Sequence, residues 1–176
     1  RNAAPVPVPV PDHRPPAGLA GRSGGGDYGR AADAYVRDFL DRCVAANGLF
    51  LWGNHYYYDA FRDCVVGFHG NEPPFPCDLG TEPGDYHEIR PIPPAWETFW
   101  RVSPAKTERA IRQMLDRHVF DPVAGGFNRH ADGRRGCAFL EAGGILVEAA
   151  AWLYARTADR SLLETARRIA AFSFEH

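Results

Sequence analysis

Apolar positions recur at helical spacing through most of the chain. Between Ala31 and Asn47 they fall at Tyr35, Val36, Phe39, Leu40, Cys43 and Val44, one stripe of a 3.6-residue period, and Asn47-Gly48 supplies a stop. Leu49 to Phe68 is aromatic-rich. Its second half is predicted to be helical, with Tyr57, Phe61, Cys64 and Val65 on one face and Asn54 as the N-cap. Ser103-Pro104 opens the next helix, Ser as cap and Pro at the first position, and Ile111, Met114, Leu115, His118 and Val119 form its stripe. Asp121-Pro122 and Gly125-Gly126 break it. A strong helix follows from about Ala138 to Arg156, in which Gly143-Gly144 marks either close approach of another helix or a late start. The short link Thr157-Ala158-Asp159 leads to a last helix carrying Leu162, Leu163, Ala166, Ile169 and Ala170, so these two form a helical hairpin. No segment alternates convincingly as a strand, and the predicted class is all-α with long Gly/Pro-rich loops.

The segments outside this pattern divide in two. Residues 1–30, with Pro-Val alternation from Pro5 to Pro11 and Gly24-Gly25-Gly26, are expected to be a disordered leader or linker. The folded part is then 31–176. Gly67 to Pro94 is a long irregular stretch, and ordered loops of that length are often functional. At the far end Phe172-Ser173-Phe174-Glu175-His176 has no cap and offers two exposed rings in want of a partner. The expectation is that the native chain continues past His176 and that its remainder is a partner of this part.

The 176 residues suffice for one domain with a real core, and the net charge of −2 comes without a basic block or stripe. Phosphate binding needs clustered Lys and Arg, so nucleic acid is not an expected partner. No apolar run approaches the ~20 residues needed to span a bilayer. A chain that starts at Arg1 carries no information about a signal peptide. Cys43, Cys64, Cys77 and Cys137 form no CxxC and no zinc spacing. Their even number permits two disulfides without requiring them, and thiols are the favoured reading.

Three polar-aromatic clusters carry the candidate chemistry. Trp52-Gly53-Asn54-His55-Tyr56-Tyr57-Tyr58-Asp59 combines an amide and an imidazole, able to neutralise a carboxylate on which charge develops, with phenols able to move protons. These types suffice for β-elimination on a uronic acid. On a helix the three tyrosines point three ways, so at least one of them packs. Phe127-Asn128-Arg129-His130 adds a cation. Arg129 is a bidentate carboxylate ligand by type and His130 a base or acid; the plainer alternative pairs Arg129 with Asp132 or Asp121. Asp85-Tyr86-His87-Glu88 lies between them, with Glu88 either orienting His87 or serving as a general acid, or both merely a solvated loop pair. Trp52 and Trp96 suit stacking on sugar rings, with Tyr58 and Asn128 as further substrate contacts. His69 and His118 read as packing or surface residues. His55, His87, His130, Glu88 and Asp59 are possible metal donors, but no HExxH or other tight ligand spacing supports them, so neither a metal nor a cofactor is expected.

The segment Trp52-Gly53-Asn54-His55-Tyr56-Tyr57-Tyr58-Asp59 resembles the Asn-Asn-His segment of α/α-toroid polysaccharide lyases such as alginate lyases, with Gly53 in place of the first Asn. The Ala138–Phe172 hairpin looks like the repeat of six-hairpin glycosidases and related toroid enzymes. The resemblance implies an incomplete α/α toroid, in which Asn54 and His55 neutralise the uronate carboxylate and a tyrosine, Tyr57 or Tyr86, abstracts and donates protons. The resulting expectation is a polysaccharide lyase acting on a uronic-acid-containing glycan, secreted or periplasmic. A glycoside hydrolase on the same scaffold, using Glu88 with Asp59 or Asp63, is the alternative. A sugar epimerase and a non-catalytic glycan- or protein-binding helical module remain behind it.

Overall fold

The computed structural model describes residues 25–45, 48–51, 56–59, 61–67, 87–131 and 133–175. The chain divides into two compact units, Arg1–Ala34 and Tyr35–His176. In the first, the described part is the opening of helix α1 (Gly25–Arg42), where Arg30 pairs with Asp27. The helix therefore starts ahead of the expected Ala31.

In the second unit the architecture is mainly helical, as the apolar spacing predicts. α2 (Trp96–Val102) and α3 (Pro104–His118) are followed by α4 (Leu140–Thr157) and α5 (Arg160–Glu175), which pack on each other as a hairpin. The expected stripe of α3 is buried at Ile111, Met114, Leu115 and His118, with Pro104 at the first turn. Ser103 does not cap with its side chain. Its carbonyl instead accepts from the Thr107 N–H at 3.1 Å and the Thr107 hydroxyl at 2.8 Å. Val119 leaves the helix to begin a short strand, β3 (Val119–Asp121), paired with β4 (Gly126–Phe127). The turn between them needs Gly125, which has φ +81; a Cβ there would sit 2.2 Å from the Arg168 carbonyl oxygen.

The α4–α5 link shows how three residues stop one helix and start another. Ala158 takes the left-handed conformation, φ 56, and closes α4 through its N–H to the Tyr154 carbonyl. Asp159 then accepts from the Ser161 N–H and hydroxyl at the start of α5, and its other oxygen holds Arg112 of α3 at 2.9 Å. Ala158→Gly is expected to stabilise the protein by about 0.5–1 kcal/mol, because only the Cβ makes this backbone unfavourable. A rise in the urea midpoint without a change in slope checks it.

Gly143 of α4 confirms close approach: a Cβ would meet the Phe127 ring at 2.7 Å and Ser173 Oγ at 2.9 Å, whereas Gly144 faces open space. Phe172 is half-buried against Phe127, so it already has a partner, and only Phe174 is fully exposed of the two terminal rings.

One element departs from the predicted helix. In place of a helical second half of Leu49–Phe68 there is a hairpin, β1 (Tyr56–Asp59) against β2 (Cys64–Gly67), in the register Tyr57↔Val66 and Tyr58↔Val65. The cause is local. The Asp59 carboxylate accepts the Phe61 N–H at 2.9 Å and the Arg62 N–H at 3.2 Å, and Asp63 adopts a left-handed φ of 55. Aromatic and β-branched residues on both sides then favour strands. Phe61, expected on an apolar helix face, is fully exposed at the turn. The chain between α1 and this hairpin also reverses, at Gly48 (φ +95), which brings Val44 and Phe50 into an antiparallel bridge.

Candidate active site

The site is built where two separated segments meet as a short antiparallel pair. The Ile89 N–H donates to the Arg129 carbonyl at 2.9 Å, the Ala131 N–H to the His87 carbonyl at 3.0 Å, and Glu88 bridges His130. On its other side the second segment is held by the Arg129 N–H, which donates to the Cys137 carbonyl at 2.8 Å. Two of the three clusters singled out in the sequence, His87-Glu88 and Asn128-Arg129-His130, thus become one.

Alternation along an extended backbone sorts the first segment. His87 and Ile89 are buried, while Glu88 and Arg90 share the opposite face. The Glu88 carboxylate receives Arg90 on Oε1. Its Oε2 receives Arg129 Nη2 at 2.8 Å and His130 Nε2 at 3.3 Å. Side-chain exposure rises outward across this group, from 7% for Glu88 through 18% and 26% for Arg90 and Arg129 to 35% for His130. The anion is therefore at the base and the cations form the rim. Among the described residues, two guanidinium groups against one carboxylate leave an excess positive charge. Burial and the nearby Arg129 push the Arg90 pKa down, a sign that the two cations repel. The Arg129 guanidinium also lies over the Phe139 ring, 5.4 Å from its centroid. Glu88 and Arg90 line a pocket with Leu49, Ile92, Pro94 and Trp96.

Arg90 was not legible as a site residue, although its i, i+2 relation to Glu88 across the apolar Ile89 is a strand signal. Arg129 pairs with Glu88; of its expected alternative partners, Asp121 accepts the Val123 and Ala124 N–H groups, and Asp132 lies outside the described residues. Nor does Glu88 orient His87, because neighbours on an extended chain face opposite ways.

His87 faces His118 instead. Their Nδ1 and Nε2 atoms are 2.9 Å apart, and His118 Nδ1 lies 2.9 Å from the Asn128 carbonyl oxygen. Burial, reinforced by the neighbouring His118, drives the His87 pKa down to about 3, and a hydrogen bond to the Phe50 backbone opposes this only in part. His87 is thus a neutral structural imidazole and not an exposed proton carrier.

Three further candidates take different places from those expected. Asn128 is 2% exposed, and its amide is used inside the protein: Nδ2 donates to the Arg134 carbonyl at 3.0 Å and Oδ1 accepts the His130 N–H at 3.1 Å. It shapes the loop and is not a surface contact for substrate. Trp96 is 3% exposed, packed with Phe50 and Phe99, and cannot offer its face to a sugar ring. Tyr58 is half-buried on β1, where its hydroxyl donates to Asp63 and Arg42 also holds both groups. That contact keeps the Asp63 carboxyl below its usual range and pushes the Tyr58 hydroxyl up. Tyr57 has a described backbone on β1, and Trp52, Asn54, His55 and Tyr86 lie outside the described residues.

Among the described residues no three His, Cys, Asp or Glu side chains group as a metal site, and no helix is long and apolar enough to cross a membrane. Cys43, buried, and Cys137, exposed, are free thiols.

A cationic rim backed by one buried carboxylate suits a protein that handles anionic sugars, and comparison with known proteins gives that class. Residues 14–136 match a family of polysaccharide lyases. Its description is periplasmic pectate lyase, the match covers more than half of the chain, and the chain belongs to that family. The matched span includes every candidate from Trp52 to His130, together with Arg90 and His118; the α4–α5 hairpin lies beyond it. The likeness to alginate lyases is carried as far as polysaccharide lyase and no further.

Proposed function

We propose that this chain carries the carboxylate-handling part of a lyase that cleaves pectate, a polymer of galacturonic acid, by β-elimination outside the cytoplasm, and that its hairpins belong to an α/α toroid. The observation that supports this most is the convergence of two guanidinium groups, Arg90 and Arg129, on the buried Glu88 carboxylate, an excess of cation over anion among the described residues. In this reaction a base removes the proton at C5, next to the carboxylate. The electron pair forms the C4–C5 double bond as the C4–O bond breaks, and the leaving oxygen takes a proton. Negative charge grows on the carboxylate before the bond breaks, so a cation aimed at it lowers the barrier more than it tightens substrate binding.

Arg129 is the group for that position: it is more exposed than Arg90, and a guanidinium fork matches a carboxylate. His130, the most exposed member, moves protons, since an imidazole can both accept and donate them. Glu88 holds the three side chains in place. Asn54, His55 and a tyrosine, Tyr57 or Tyr86, complete the carboxylate and proton-transfer groups on this reading. A hydrolase built on Glu88 is less well supported, because a carboxylate enclosed by two guanidinium groups accepts hydrogen bonds and is a poor proton donor.

The test is to incubate the full chain with polygalacturonate and with its methyl ester, following the ultraviolet absorbance of the unsaturated product. Absorbance from the free acid and little from the ester is the expected result. New reducing ends without absorbance would transfer the reading to hydrolysis, and the absence of both would end it.

A further inference from the structure

His118 is fully buried at the end of α3, on the apolar stripe, yet its carbonyl and both ring nitrogens are engaged in one circuit. Its backbone carbonyl accepts the Asn128 N–H at 2.8 Å, and its ring Nδ1 meets the Asn128 carbonyl oxygen at 2.9 Å. One residue thus grips both main-chain polar groups of the residue that precedes Arg129. Its Nε2 reaches His87 Nδ1 at 2.9 Å, and the His87 carbonyl accepts the Ala131 N–H at 3.0 Å. The circuit runs from His118 to Asn128, along the chain to Ala131, across to His87 and back to His118. It encloses the junction from which Glu88, Arg129 and His130 project.

The hydrogens follow from the acceptors. A carbonyl oxygen can only accept, so His118 Nδ1 carries a hydrogen. The contact between His118 Nε2 and His87 Nδ1 is then held by one hydrogen lying between the two rings. A packing residue needs none of this, since Leu would fill the same stripe without two buried hydrogen bonds to satisfy.

We infer that His118 is a positioning residue for the Glu88–Arg129–His130 cluster, acting by clamping the Asn128 peptide, which precedes Arg129, through Nδ1. The inference rests on the reading of that cluster as the reacting site. Its physical basis is that misplacement of reacting groups by about 1 Å can lower turnover by about a hundredfold.

Two near-isosteric changes separate the two ring contacts. In His118→Asn the side-chain amide lies where Nδ1 was and still donates to the Asn128 carbonyl, while the contact with His87 is lost. In His118→Gln the amide reaches the position of Nε2 and keeps His87, while the Asn128 carbonyl loses its donor. Full-length variants would be compared by thermal unfolding, by kcat and KM on polygalacturonate, and by NMR of the Arg129 Nε–H and His130 ring nitrogens. The expected result is that His118→Asn retains kcat within about threefold, whereas His118→Gln, at a similar unfolding midpoint, loses about tenfold or more. The Arg129 and His130 signals should shift in His118→Gln and stay in His118→Asn. Equal kcat in both variants, or unmoved signals in His118→Gln, overturns the inference. A wild-type chain with no lyase activity would instead refute the lyase reading, and the NMR comparison alone would then decide whether His118 sets the cluster's geometry.

Discussion

Arg129→Ala is expected to lower kcat/KM on polygalacturonate by about 100- to 1000-fold, with most of the loss in kcat, the range for removing one donor from a developing oxyanion. That factor corresponds to about 3–4 kcal/mol of transition-state stabilisation. The fold should survive the change, because Glu88 retains Arg90 and no buried carboxylate is left without a cation. Arg129→Lys keeps the charge but loses the planar fork, and an intermediate loss is expected. Steady-state kinetics beside circular dichroism of the same variants measure both effects. A loss confined to KM would show that Arg129 holds substrate and transition state equally, and would move the charge-stabilising role to another group.

The second large effect is on stability in acid. His87 titrates near 3 in the folded protein and near 6.5 when unfolded, so between these values the unfolded chain binds the extra proton. The stabilisation is complete above about pH 6.5, falls as pH drops through the window and is lost below about 3. The wild-type protein should therefore lose about 2 kcal/mol by pH 5 from this residue alone, and up to about 5 kcal/mol at the limit. Urea unfolding at several pH values measures the slope. His87→Asn keeps a hydrogen-bonding partner for His118 at the Nδ1 position but has nothing to titrate, so its slope between pH 6.5 and 5 should flatten. Parallel slopes in the two proteins would show that another group, with His118 the nearest in space, carries the acid response.

These predictions depend on features that differ in how far they could be read in advance. The helical hairpin was legible because its signals are local: an apolar stripe on each helix, and a three-residue link in which Asp159 caps the helix that follows. The hairpin at Tyr56–Gly67 was missed because its apolar spacing satisfies a helix as well as a strand. The decision fell to the Asp59 carboxylate and the left-handed backbone at Asp63, both properties of a turn. The pairing of His87–Ile89 with Arg129–Ala131 was also out of reach, since no periodicity tells one short segment which distant segment will supply its hydrogen bonds.

The same division holds for the chemistry. The residues alone determined that imidazole, guanidinium and carboxylate groups lie in segments rich in turn formers, and that the chain has the types needed to bind a uronate. Tertiary structure alone decided their roles. Asn128 became an internal strut because its amide found the Arg134 carbonyl and the His130 N–H. Trp96 became core because Phe50 and Phe99 closed over it. His118, which the stripe marked only as buried, became the clamp on the Asn128 peptide, and Arg90 joined Arg129 on Glu88. Local sequence fixes conformational preference through short-range sterics and hydrogen bonding. Charge, burial and proton affinity depend on neighbours brought from far along the chain, and only packing supplies those.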